Sequence, residues 1–166
     1  MPTSFWFVAV SMVAGLGVTA LPDPVSSAFK GAFPNAQATS VDTEKEGGLT
    51  VYEIEFTEDG VRRECEMTAD GTILSSETAI DPSAVPDVVM RAFVKAADGG
   101  TIGAVEYEEI RAEARHSKIV ALDTIRIEYE AVFTKGDRTG EVTVANDGKI
   151  VEGPKWFKPG EDDDED

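Results

Sequence analysis

Tyr52-Glu53-Ile54-Glu55-Phe56-Thr57 recurs 77 positions later as Tyr129-Glu130-Ala131-Val132-Phe133-Thr134, and the correspondence runs without a gap to Ile73 and Ile150. Eight identities survive across it: Tyr52/Tyr129, Glu53/Glu130, Phe56/Phe133, Thr57/Thr134, Glu64/Glu141, Asp70/Asp147, Gly71/Gly148 and Ile73/Ile150. Upstream, at an offset of 64, Pro22, Asp23, Val25, Ala28 and Phe29 return as Pro86, Asp87, Val89, Ala92 and Phe93. A helix followed by strands is thus written twice, and repetition of a whole supersecondary unit outweighs any single motif as a fold signal.

The strand reading rests on period. Tyr52, Ile54 and Phe56 fall on one face while Glu53 and Glu55 fall on the other, so one side packs and the other is expected to be wet. Glu46-Gly47-Gly48 joins residues 41–45 to 49–57 as a hairpin, and Asp59-Gly60 and Asp70-Gly71 turn the chain into 61–67 and 72–80. In the second half 140–144 and 149–152 meet around Asn146-Asp147-Gly148. Before each meander the period changes to that of a helix. Val25, Ala28, Phe29, Ala32 and Phe33 form one stripe over 22–33, opened by Pro22 and Pro24 and stopped by Pro34. Val85, Val88, Val89, Ala92, Phe93 and Ala96 repeat it, with Gly99-Gly100 at the end.

The two offsets differ by 13 residues, which places an insertion between the second helix and Tyr129. An elongated hairpin is the preferred account, residues 102–115 returning through 119–133, because Ile125, Ile127, Tyr129, Ala131 and Phe133 alternate cleanly, while residues 106–118, rich in Glu, Ala and Arg, also suit a helix. The expected fold class is α+β: two tandem units, each one helix packed on an antiparallel β-meander. The expected organisation is a cleaved signal over residues 1–20, a first unit over 21–80, a second over 81–157 and a disordered acidic tail over 158–166. Residues 1–20 carry no charged side chain, and their apolar run is shorter than the ~20 residues a membrane span needs. Secretion or a periplasmic location follows from this, with no membrane attachment after cleavage.

Pro-Asp-x-Val-x-x-Ala-Phe helices, Tyr-Glu strands and Asp-Gly turns followed by apolar pairs, in this order and twice over, resemble the PepSY-like domains, including those called β-lactamase-inhibitor-like. The residues that carry the resemblance are 22–29, 52–56 and 69–74, then 86–93, 129–133 and 146–151. It implies an extracytoplasmic, non-enzymatic α+β protein that binds or inhibits another protein, such as a peptidase. The insertion and the acidic tail depart from the pattern.

Composition narrows the partners. With a net charge of −17, nucleic acid is excluded as a partner and a basic protein surface or cations are favoured. His116 is the only histidine, so neither a His-based triad nor a multi-His metal site can be built, and its expected place is the tip of the long hairpin. Cys65 alternates with Val61 and Met67 and corresponds to Val142, which reads as a core thiol rather than a nucleophile. No catalytic set, metal site or cofactor motif emerges. The candidate protein-binding residues are Glu53, Glu55, Glu128 and Glu130 on the wet strand faces, with His116. Calcium is the alternative function class, an acidic cation-responsive or buffering protein: Asp59, Asp70 and Asp147 lie in glycine turns, yet no Asp-x-Asp-x-Asp-Gly loop occurs, so binding would be weak and diffuse.

Overall fold

Two proline-opened helices begin the two halves, and the computed structural model describes residues 21–158. Helix α1 spans Asp23–Ala32 and buries Val25 and Phe29; α2 spans Asp87–Ala97 and buries Val89, Phe93, Ala96 and Ala97. Each starts with an aspartate in its first turn, where a carboxylate meets the positive end of the helix dipole. Strands β1 (Gln37–Glu46), β2 (Leu49–Glu58), β3 (Val61–Thr68) and β4 (Ile73–Ile80) follow α1. Strands β5 (Thr101–Arg115), β6 (Lys118–Lys135), β7 (Arg138–Ala145) and β8 (Ile150–Phe157) follow α2. The insertion is the long hairpin that the alternation predicts, and His116 and Ser117 form its tip with φ of 51° and 58°.

The expectation of two separate helix-plus-meander units is overturned. The strands form one eight-stranded sheet in the order β1-β2-β3-β4-β5-β6-β7-β8, each hydrogen-bonded to the next. The physical reason lies in the backbone: β4 and β5 would otherwise be open edges with unpaired N–H and C=O groups, and pairing them removes both. Contacts still cluster into two units, residues 21–76 with Arg111–Thr124 and Glu77–Ile110 with residues 125–158. The arms of the long hairpin therefore contribute to both. The expected leader over 1–20 and the expected acidic tail from residue 159 onward lie outside the described residues, among which no helix is long and apolar enough to cross a membrane.

In the first unit Phe29 of α1 and Phe33, which caps it, close on Phe56, with ring centroids 5.1 and 4.7 Å from it, above Ile54, Cys65 and Met67. In the second, Val89 and Phe93 of α2 pack with Tyr129, Ala131, Phe133, Val142 and Val144, and Trp156 of β8 meets Phe133 edge-on at 4.8 Å. The Asp-Gly turns serve both helices alike. A Cβ on Gly71 would lie 2.7 Å from the Pro24 carbonyl, and one on Gly148 would lie 2.5 Å from Val88 Cγ2, so each helix rests on the bare backbone of a turn.

The other face of the first unit has a core of its own. Val51, Leu74, Ala112 and Ala114 form a small cluster bordered by Leu49 and Ile119, which brings the tip region of the long hairpin onto β2 and β4. The Ser117 amide donates to the Gly47 carbonyl at 2.6 Å, and a Cβ on Gly47 would run into the Ala114 carbonyl oxygen. Gly47 also holds φ at 53°, where side chains are rarely found. Gly47→Ala is accordingly expected to lower stability by about 1–3 kcal/mol and to speed amide exchange at Ser117; urea titration and hydrogen exchange check both.

Candidate functional site

Strand alternation places every second residue of β1–β3 on the face away from α1, and antiparallel register then sets carboxylates beside carboxylates. Asp42 lies opposite Glu53, which lies opposite Glu66, and Glu55 lies opposite Glu64. Like charges directly across a strand pair are destabilising, so this arrangement works against the fold unless something else relieves it. Arg62 relieves part of it through Glu55 at 3.3 Å, whereas Arg63 turns to the helix side, pairing with Glu58 at 2.7 Å and lying over the Phe33 ring at 5.1 Å.

The strain registers in proton affinity. Burial, then the charges of Glu44, Asp42 and Glu55, hold Glu53 above the ordinary carboxylate range. Burial, then Glu44 and Glu113, do the same to Glu46. One carboxylate oxygen from each of Glu44, Glu46 and Glu66 can lie within 4.8 Å of the others, a set of hard oxygen donors of the kind that suits calcium.

A second acidic cluster occupies the corresponding face of the other unit. Glu130 of β6 lies opposite Thr143, and Thr143 opposite Glu152. Burial, followed by the charges of Glu141, Glu106, Glu108 and Glu152, pushes the Glu130 carboxyl up to about 8. Lys155 reaches Glu152 at 2.5 Å. Glu53 and Glu130, the two positions aligned by the 77-residue offset, are thus both carboxyls with raised proton affinity on the side away from a helix.

The sequence-derived site residues do not all meet expectation. Glu53, Glu55 and Glu130 are half-buried, and Glu128 is 6% exposed with Arg126 Nε on its Oε1 at 2.7 Å. The expectation of a uniformly wet row is corrected at Glu128, whose carboxylate is buried and neutralised by its ion pair with Arg126. His116 is exposed at the hairpin tip, as its turn position implies, and stands on the tip that docks at Gly47. Alternation alone did not single out Glu44, Glu46, Glu66, Glu106, Glu108, Glu141 and Glu152. Their convergence depends on strand register, for which the period-two placement of Asp42, Glu44 and Glu46 was the one available signal.

Two other candidates resolve into structure. Cys65 is buried, and burial, with the Glu64 charge second, pushes its thiol up to about 12, which makes it a core residue rather than a nucleophile. Asp70 Oδ1 accepts from the Thr68 hydroxyl at 2.6 Å and the Thr72 amide at 3.0 Å, and Asp147 Oδ1 accepts from the Lys149 amide at 3.1 Å. Both aspartates are occupied in holding their turns.

No protein-family model and no curated protein matches the sequence. The fold, however, is similar to several solved structures. A candidate periplasmic protein from Bacteroides eggerthii DSM 20697 superposes with a TM-score of 0.61 at 15% identity, over 84% of this chain and 90% of its own. A BLIP-like protein from Bacteroides fragilis NCTC 9343 gives 0.57 at 19% identity, over 90% and 94%. A DUF2874 family protein from Bacteroides ovatus ATCC 8483 gives 0.59 at 16% identity, over 88% and 93%. At such identities the likeness concerns the fold alone, and it is a BLIP-like fold that this chain shares.

Proposed function

We propose that this chain is a secreted or periplasmic, non-catalytic binding module that engages a basic surface of a protein partner through the carboxylate faces of its sheet. The observation that carries the reading is the pair of acidic clusters around Glu53 and Glu130. Each sets like charges side by side, which adds to burial in raising the proton affinities of Glu53 and Glu130. A cationic partner would turn that repulsion into attraction. The names of the Bacteroides neighbours, one a candidate periplasmic protein and one BLIP-like, support the location and the binding role. On this reading the action is inhibition or regulation of an extracytoplasmic protein such as a peptidase, in the manner of the PepSY-like domains. The shared seating of Pro24 on Gly71 and Val88 on Gly148 supports descent of both halves from one building block.

The test is capture from the native secretome by the chain starting at Leu21, compared with an Asp42→Lys, Glu108→Lys variant. A saturable protein partner is expected, with affinity that falls as salt rises and drops at least tenfold in the variant. Absence of any saturable partner, or equal capture by both chains, overturns the reading. A second reading, calcium binding, draws on the convergence of Glu44, Glu46 and Glu66. Calorimetry with calcium on the full chain and on a truncation ending at Gly160 decides it: stoichiometric heats promote it, and weak salt-like heats dismiss it.

A further inference from the structure

The two outer strands of the sheet are built differently. Strand β8 carries Pro154, which has no N–H to offer, and its pairing with β7 is broken by register shifts between Glu141 and Thr143 and between Thr143 and Val144. Those are the ordinary defences of an edge against strand addition. Strand β1 has no proline; its one register shift falls near its start, between Ala38 and Ser40, and from Ser40 to Glu46 its ladder to β2 runs without interruption. Asp42, Thr43, Glu44 and Lys45 are all exposed.

Which backbone groups of β1 face outward follows from the hairpin. Gly47 and Gly48 at φ 53° and 86° make a two-residue turn of the primed type, so Glu46 and Leu49 flank it as a hydrogen-bonded pair. Bonded and non-bonded pairs alternate along an antiparallel ladder. Glu44 and Asp42 therefore bond β2, while Lys45, Thr43 and Val41 turn their N–H and C=O groups to the edge, which no other described strand covers. Along that edge Asp42, Glu44 and Glu46 share the acidic face with Glu53 and Glu66, and Val41 lies on the α1 side against the core.

We infer that β1 is an acceptor edge: an extended segment of a partner, with Lys or Arg at every second position, adds to it as a ninth strand. Main-chain bonds to Val41, Thr43 and Lys45 would supply the ladder, and the alternating cations would lie beside Asp42, Glu44 and Glu46. Charge complementarity selects this occupant over a second copy of the chain, whose β1 would bring the same acidic row to a molecule already at −17. The inference rests on the acidic-face reading and specifies the form of the partner.

The experiment measures fluorescence anisotropy of a labelled decapeptide of alternating lysine and threonine on the full chain. Two controls run beside it: a block decapeptide of the same composition with all its lysines first, and the alternating decapeptide N-methylated at every second residue. The alternating peptide should bind at least tenfold more tightly than either control. Thr43→Pro, which removes an outward N–H without touching the β1–β2 ladder, should cost the same factor. Equal binding of alternating and block peptides, or of methylated and unmethylated ones on the unaltered chain, overturns strand addition even if the proline variant fails to fold. If Asp42→Lys abolishes binding while Thr43→Pro and N-methylation leave it unchanged, the acidic face binds cations and the edge does not act as a template, which overturns the proposal while sparing the acidic-face reading. Concentration-dependent self-association that Thr43→Pro removes assigns the edge to a second copy and likewise overturns the proposal.

Discussion

Phe93→Ala is expected to lower the unfolding free energy by about 3–5 kcal/mol, the usual range for truncating a buried aromatic. Phe93 is 0% exposed and sits in the cluster that joins α2 to Tyr129, Ala131, Phe133, Val142 and Val144. Little can move in to fill the void. Small residues already surround the site at Ala96, Ala97 and Ala131, and the sheet side is held by paired backbone on both flanks of β7. A cavity that cannot collapse retains its full penalty on top of the lost transfer energy. The equivalent Phe29→Ala should fall at the lower end of the range, since Phe29 is 6% exposed and Phe33 lies beside it with ring centroids 5.6 Å apart. Urea titrations read both, and midpoints unchanged from the parent chain would mean that neither helix docks on the aromatic rows.

That pair of phenylalanines marks what the sequence could reveal. Helix positions, the long hairpin, the alternating rows at Tyr52, Ile54 and Phe56 and the core role of Cys65 are all written in side-chain period and turn chemistry, which act over a few residues. The joining of β4 to β5 is not. It is made by main-chain groups that every residue carries, so no side chain announces it, and the two halves read as separate when their sheet is continuous. The return of the hairpin tip to Gly47 was equally silent, because the contact is a bare glycine against a carbonyl. At the site, Glu53 and Glu130 were visible as outward carboxylates, but not their crowding. Facing Asp42 with Glu53 and Glu53 with Glu66 requires the register of three strands, and a slip by one residue would have sent each side chain to the opposite face.

The crowding has its largest consequence at Glu130. Its carboxyl titrates near 8 in the folded chain against an ordinary value of 4.5, with burial the chief cause and Glu141, Glu106, Glu108 and Glu152 adding to it. Below about pH 4.5 the group is protonated in both folded and unfolded chains and contributes nothing to the difference between them. As pH rises toward 8 the unfolded chain releases a proton that the folded chain retains, so stability declines through this window and levels off above it. Each tenfold difference in proton affinity between the two chains is worth about 1.36 kcal/mol, so the loss at the plateau is on the order of 3–5 kcal/mol. Glu130→Gln keeps the shape and removes the charge. It is therefore expected to match the parent chain at pH 4 and to exceed it by several kcal/mol, roughly 3–5, at pH 8.5. Urea unfolding of both chains at closely spaced pH values between 4 and 9 gives the difference curve. A rise between the two titration points places the cost of the ionised carboxyl, burial first and the neighbouring charges second, at Glu130, and a flat line would show that neither burdens it. If a basic partner favours the ionised Glu130 carboxylate and so lowers its titration point, binding to the parent chain should release up to one proton per site near pH 7, with the release fading above about pH 8, where the free group is already ionised, whereas the Glu130→Gln chain should bind without that pH-dependent release.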